Sequence, residues 1–569
     1  MLHLSNRSPL HPTATGLHKL YYLASLCIYL ILALCYFGTW HSWTQHYLGE
    51  GNDPVSFVWF IHWWPFALQH HLNPFVSYYV WHPDGVNLSW TTSIPTIALL
   101  LWPITATGGP VMAFNVISVL APAISAWTAF LLAMYLSRRW LPSLFAGYFF
   151  GFSSYEFGQL LGHLNLDLVF LIPVAVLLCV THVRGDLRRR TFVLSLAAVL
   201  ILQLGISTEV LASLCVLGAM TWLIFLLFTP IADRKPLWRL AKDIALTAPI
   251  VLVFAAPYLF YMFKGMAHGQ PFHTLPSEYS ADPLNLLIPT RVSLLGRATS
   301  TWAEKFSGNA SEQGAYLGLP LLLVAMWYFR DHYRDRGVKA FLVATCALAI
   351  MSLGPHLQIE RHITKLRLPW HEIMKLPLID EALPTRFMMY VALCAAIAAA
   401  LWLSDAKTRK QLIGRVGIAM LAAVALLPDG SAFAWTSWPA QPFFQAAHIE
   451  QTLGKHPNVL ILPFSDKGPG MGWQVDAGMA FTQAAGYLGP DPKQEDGVTL
   501  EELRHGELSP DFGSHLETFC LAHNVDYIVI GPDTPTALTE AISKLPWTQH
   551  VDGNVVVVDA PRMPTLTQR

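Results

Sequence analysis

Charge is scarce in this chain. Asp, Glu, Lys and Arg make up only 13% of its 569 residues while 53% are hydrophobic, where soluble domains carry roughly 25% charged residues. So thin a polar coat cannot enclose a soluble protein of this length, and the composition points to a polytopic membrane protein. The formal charges sum to −1, which excludes a general nucleic-acid binder, since that function needs a cationic surface. Cysteine is sparse too. Six of the seven (Cys27, Cys35, Cys179, Cys215, Cys346 and Cys394) lie inside apolar runs and only Cys520 lies outside. There is no CxxC pair, zinc spacing or disulfide framework. The polar start of the chain leads into an apolar run with no cleavage site after it, so that run is expected to be a retained span rather than a signal peptide. No internal repeat or low-complexity segment stands out.

What the chain has instead is a succession of long apolar runs. Runs near the ~20 residues needed to cross hydrocarbon fall at 20–40, 111–136, 142–157, 167–183, 191–207, 209–228, 243–263, 315–329, 340–354, 386–403 and 413–428. Basic clusters set their orientation, because Lys and Arg favour the cytoplasmic side. SRRW (137–140), VRGDLRRR (183–190), ADRKPLWRLAK (232–242), FRDHYRDRGVK (329–339) and DAKTRKQLIGR (405–415) fall in every second loop. A cytoplasmic tail over 1–19, a transmembrane domain over 20–428 and long outer loops at 41–110, 264–314 and 354–385 follow as expectations. The apolar stretch 91–109 is expected to stay external, along the outer interface, since counting it as a span would put Arg138 and Arg139 outside. The 20 Trp and 19 Tyr suit a chain with much interfacial surface.

Past Pro428 the pattern changes. NVLILPF (458–464), VDYIVIG (525–531) and NVVVVDA (554–560) read as strands, separated by helical patterns at 441–454, 513–523 and 535–545. Residues 429–569 therefore read as a small α/β domain, placed outside by an odd number of spans from a cytoplasmic N-terminus.

With sidedness assigned, the acids at membrane depth sort onto one face. Asp53 lies in the first outer loop, Glu156 and Asp167 bracket the turn after the third span together with His163 and Asn165, and Glu209 opens the sixth span. Ionisable groups there are costly unless paired or solvated, so each is a functional candidate by default. Plainer roles stand beside that one. Asp53 ahead of Pro54 would cap a helix, as would Asp167, while Glu209 would serve as an early-turn acid and His163 as an interfacial histidine. The outer-loop histidines His41, His46, His62, His70, His71 and His82 show no metal-binding spacing and read as interfacial packing.

An N-in first span, a long outer loop with an Asp a few residues in, an aromatic helix, and a second span ending in LSRR resemble the GT-C superfamily of integral-membrane glycosyltransferases. The stretches GNDPVSFVWFIHWWPFALQHHLNPF, HPDGVNLSWTTSIP, GHLNL, STEV, GAYLGLPLL, LPWH, LPTRF and GYLGP are similar to a narrower group of bacterial membrane proteins labelled as glycosyltransferases. The resemblance implies an α-helical polytopic GT-C-like fold of about eleven transmembrane helices in the bacterial inner (plasma) membrane. It implies transfer of a sugar from a polyprenyl-phosphate donor to an extracytoplasmic lipid, polysaccharide or protein acceptor of the cell envelope, with membrane lipids as the other partners.

Asp53 is the position that carries over as catalytic; a second acid, if needed, would come from Glu156, Asp167 or Glu209, with Glu209 the foremost candidate as a catalytic residue. Glu156, His163, Asn165 and Arg386 would bind substrate. Arg386 in LPTRF suits bidentate contact with phosphate oxygens, with Lys375 and Arg367 as weaker alternatives. Trp59, Phe60, Trp63 and Trp64 would seat the helix after Asp53 at the membrane interface. Direct displacement by an activated acceptor would invert the anomeric carbon. Many GT-C first loops carry paired acids, whereas Asn52 precedes Asp53 here, so a divalent cation (Mg or Mn) stays open. The alternatives are a non-catalytic GT-C-like subunit or a lipid or polysaccharide transporter.

Overall fold

The structure is a computed structural model that describes residues 15–263, 276–375, 382–464, 468–488 and 496–562. Most of the expected 1–19 tail, parts of the 264–314 and 354–385 loops, and the end of GYLGP lie outside the described residues. The chain forms two compact units, one from residues 1–41, 115–255 and 273–435, the other from 42–114, 256–272 and 436–569.

The first unit is helical. A helix stands at each expected apolar run, and among the described residues of the whole chain six segments are long and apolar enough to cross a membrane: Lys19–Phe37, Trp102–Ser137, Leu164–Arg184, Thr208–Phe228, Lys235–Phe263 and Pro384–Ser404. Their ends follow local chemistry. Ser207 Oγ accepts from the Val210 N–H at 3.3 Å, and Asp335 Oδ1 accepts from Val338 N–H at 3.0 Å, each satisfying an orphan donor of a helix start. Gly185, at φ +83°, closes Leu171–Arg184 in the left-handed conformation that glycine adopts without penalty.

The Met388–Ser404 helix is the centre of this unit. It is apolar all round and buried except at Cys394 and Ser404, packing against Trp140–Gly151, Leu319–Asp331 and Arg336–Ser352. Its run of alanines lets neighbouring backbones approach closely. By contrast, only 22% of the Thr208–Phe228 window and 17% of the Lys235–Phe263 window are buried, which is how lipid-facing helices look.

The 91–109 stretch is not one continuous helix. Pro95–Leu100 is six residues long, and the helical run that starts at Trp102 is interrupted at Gly109 (φ +85°, ψ +164°).

The second unit holds a five-stranded sheet. In spatial order the strands are Gln549–Asp552, Val555–Asp559, Tyr527–Ile530, Asn458–Leu462 and Thr482–Gln483. Asn458–Leu462 runs parallel to both neighbours, and the two edge strands at the other side are antiparallel. All five residues of Asn458–Leu462 are buried, as expected for a strand covered on both faces. Val459, Ile461, Val529, Val555 and Val557 meet Phe443, Phe444, Ile449, Trp473 and Phe481 in its core. The Asp53–Gln69 helix belongs to this unit. Its aromatics are not membrane-interface anchors. Trp59, Phe60, Trp63 and Trp64 are each no more than 4% exposed, so they pack inside protein instead of anchoring to lipid. Their polar edges are satisfied within the unit, Trp59 Nε1 donating to Gln474 Oε1 at 2.8 Å and Trp64 Nε1 to Ser93 O at 2.9 Å.

Candidate functional site

In the second unit, Gly51 (φ +76°) turns the chain into the Asp53–Gln69 helix. Asn52 takes the cap position without a side-chain cap bond, and Asp53 is the first helical residue with Pro54 behind it. Asp53 Oδ1 accepts a hydrogen bond from the Tyr487 hydroxyl at 2.9 Å. Asn52 Nδ2 donates to Gly468 O at 2.8 Å. His62, in the same helix, is half-buried; desolvation, and then the neighbouring His70, push its imidazole down to about 4.

In the first unit, a charged cluster forms around Arg386. The Pro384–Phe387 turn delivers it at the head of the central helix, with Thr385 Oγ1 donating to Glu312 O at 2.7 Å. Its guanidinium donates through Nη1 to Glu209. Nε and Nη2 donate to Glu312 Oε1 at 3.0 and 2.5 Å. Glu209 Oε1 also accepts from the Leu383 N–H at 3.2 Å. His163 Nδ1 lies 3.0 Å from Gln159 Oε1 and 3.9 Å from Glu312 Oε1.

Glu312 escaped the sequence reading. It precedes the GAYLG stretch by two residues in a loop whose path only the packing reveals. Asn309 Oδ1 accepts from the N–H groups of Ser311 and Glu312 at 3.0 and 3.1 Å, turning the chain. Gln159 Nε2 donates to Ser311 O at 3.0 Å. Gly158 and Gly314 make the approach possible, since a Cβ on Gly314 would lie 2.8 Å from Tyr155 Cα. Burial would push the Glu312 carboxyl up, but the Arg386 charge and its hydrogen bonds, with His163 and Gln159, hold it below its ordinary value. The Glu312 side chain is 2% exposed and that of Glu209 is 23% exposed, so Glu209 is the more accessible arm of the clamp.

Glu156 and Asp167 are apart from this clamp. Both are 1% exposed and their carboxyls lie against each other beside Ser125. None of their four oxygens takes a hydrogen bond from a described donor, because a contact between two carboxyls needs a shared proton to become one. Asp167 does not cap the following Leu171–Arg184 helix, whose cap position is Phe170. Asn165 is buried beside it in the Leu164–Asp167 turn of helix. Lys375 pairs with Glu372 at 2.7 Å and Arg367 lies exposed in a hairpin strand, so neither joins the clamp. Among the described residues, no group of three or more His, Cys, Asp or Glu is placed to hold a metal ion. The acids of the clamp are engaged by Arg386.

Comparison with known proteins bears on the fold. The model of the family described as Domain of unknown function (DUF6311) matches residues 24–427. No curated protein matches the sequence. Among solved structures, the arabinofuranosyltransferase AftD from Mycobacteria superposes with a TM-score of 0.57 at 13% identity, covering 97% of this chain and 40% of that one. The archaeal oligosaccharyltransferase AglB from Archaeoglobus fulgidus, in complex with an inhibitory peptide and a dolichol-phosphate, gives 0.55 at 14% identity, covering 96% and 75%. The Archaeoglobus fulgidus oligosaccharyltransferase complex with Zn and sulfate gives 0.52 at 14%, covering 95% and 73%. This chain spans about two fifths of the length of AftD. These neighbours are GT-C glycosyltransferases, and the chain has a GT-C-like fold, as the resemblance implied.

Proposed function

The chain belongs to the DUF6311 family, and we propose that it is a membrane glycosyltransferase that moves a sugar from a polyprenyl-phosphate carrier to an acceptor hydroxyl of the cell envelope. The observation that carries this reading is Asp53. In a GT-C-like fold, an acid stands at the first position of the helix that follows the first span, its side chain accepting a hydrogen bond from a tyrosine hydroxyl. A carboxylate so placed takes the proton of the acceptor hydroxyl as that oxygen attacks the anomeric carbon. The carrier phosphate leaves from the opposite face, and the configuration inverts. The leaving phosphate gains charge as the bond breaks, and preformed donors aimed at developing charge supply the largest share of such catalysis. On its chemistry alone Arg386 is our candidate for that role, its planar fork suiting phosphate oxygens, and Glu209 and Glu312 engage its guanidinium within the first unit. The dolichol-phosphate in the AglB structure is the kind of carrier this reading calls for.

The reaction would take place outside the plasma membrane, under eleven crossings from a cytoplasmic N-terminus. Residues 436–569 share one compact unit with 42–114, which supports placing the C-terminal segment on the same side as the first outer loop.

Deleting the gene and complementing with wild type or Asp53→Asn tests the reading. Deletion should remove one envelope glycan decoration and cause a polyprenyl-phosphate sugar to accumulate. The asparagine variant should insert normally and restore neither, because general-base assistance is worth ~10²–10⁴-fold. Full complementation by Asp53→Asn would point to a non-catalytic subunit or a transporter.

A further inference from the structure

Tyr487 lies 434 residues from Asp53 in sequence, and its hydroxyl donates to Asp53 Oδ1 at 2.9 Å. The segment that carries it is held on both sides. Ala484 N–H donates to Val459 O at 3.1 Å, binding the segment to the Asn458–Leu462 strand. Gln483 N–H donates to Tyr79 O at 2.9 Å, and Gln483 O accepts from His82 N–H at 2.9 Å. Gly486 passes so close to Val80 that a Cβ there would lie 2.6 Å from Val80 Cγ1. The helix that starts at Asp53 is tied to the same segment twice more, by Asn52 to Gly468 O and by Trp59 to Gln474. Gln474 Oε1 also accepts from Gln483 Nε2 at 3.1 Å. Base and hydroxyl donor are therefore fixed to one another from both chain segments.

We propose that Tyr487 is a positioning residue for Asp53, so that the C-terminal segment completes the base site that the first outer loop begins. The inference rests on the reading of Asp53 as the acceptor's base. A carboxylate on a two-torsion side chain rotates unless a donor sets its plane, and misplacement of a reacting oxygen by about 1 Å costs on the order of 10²-fold. The donor from Tyr487 is a neutral phenol. It orients the carboxylate while taking less of its basicity than an arginine or lysine would, and a general base must keep that basicity to accept the acceptor's proton. During transfer the proton goes from the acceptor hydroxyl to the Asp53 carboxylate, while the tyrosine keeps its own.

The test is the rate of envelope-glycan decoration in the deletion strain complemented with full-length variants, alongside each variant's thermal unfolding in detergent. Tyr487→Phe should slow decoration about 10- to 100-fold, the worth of a hydrogen bond to a charged group, with the unfolding temperature kept. In an Asp53→Asn background it should cause no further loss. Tyr487→3-fluorotyrosine and Tyr487→3,5-difluorotyrosine keep the contact but make the phenol more acidic, which draws on the base, so the rate should fall stepwise with each fluorine. A purely structural contact would leave both fluorinated proteins at the wild-type rate, and that result overturns the proposal. So does a Tyr487→Phe protein that works normally while Asp53→Asn is dead, or one slowed only as far as its unfolding temperature drops. A deletion strain with no change in glycan or carrier lipid would instead sink the transferase reading, and this inference with it.

Discussion

The guanidinium of Arg386 grips Glu312 side-on, Nε and Nη2 both reaching Oε1, at 3.0 and 2.5 Å. The carboxylate it grips is 2% exposed, so this pair is decided by desolvation. Once buried, each charge depends on the other, and the loss of one is worse than the loss of both.

Arg386→Met should therefore destabilise the first unit by about 3–5 kcal/mol, the usual result of stranding a buried charge. Combining it with Glu312→Gln and Glu209→Gln should recover much of that loss, since no unpaired charge remains. Thermal unfolding in detergent checks the order: single variant lowest, triple variant nearer wild type. A triple variant less stable than Arg386→Met would contradict it.

His62 sets a pH dependence in the second unit. Its folded value of about 4 lies below the ~6.5 of a free imidazole, so the unfolded chain binds the proton first. The stability it contributes is complete above about pH 6.5 and is lost as the pH falls towards 4. The loss is at most about 3 kcal/mol. Proteolysis of the second unit, followed from pH 7 to 4, should accelerate across that window, and His62→Phe should flatten the profile.

Gln474 is the busier partner in its bond with Trp59. It accepts from Trp59 Nε1 and Gln483 Nε2, and its own amide donates to Tyr79 O at 2.8 Å and Phe481 O at 3.0 Å. Gln474→Leu strands several buried polar groups at about 1–3 kcal/mol each, whereas Trp59→Phe removes one donor. Chemical denaturation should rank Gln474→Leu well below Trp59→Phe. The reverse order would mean that ring packing outweighs the network.

Two helical glycines should respond oppositely to enlargement. A Cβ on Gly151 would lie 2.6 Å from Ala126 Cα, with backbone atoms closer still, while Gly218 has nothing within 4 Å. Backbone cannot yield as a side-chain tip does, so Gly151→Val should exceed the ~1–3 kcal/mol typical of overpacking. The folded protein should fail to accumulate in membranes. Gly218→Val should accumulate normally.

The helices were legible in the sequence because each satisfies its own backbone hydrogen bonds within a contiguous apolar run, the condition that lipid imposes. The strands at 458–462, 527–530 and 555–559 were legible for a similar reason, as short β-branched runs between turns. So was the turn at Gly51, and the chemistry of Asp53 as an acid at a helix start. The partners were not. Arg386 was recognisable as a cation at the outer end of a span, but its acids come from 177 and 74 residues away. Glu312 carried no periodicity or spacing to single it out. Tyr487 stood in GYLGP, a stretch of the resemblance, but nothing in the sequence paired it with Asp53. The tryptophans after Asp53 were misread because a lipid interface and a protein interior make the same demand on an indole, an apolar bed for the ring and an acceptor for its N–H. Local pattern decides what the backbone does, since its hydrogen bonds close within a few residues. Which charges meet is decided by loop paths and close glycine contacts between segments far apart in the chain, and only the folded packing contains that information.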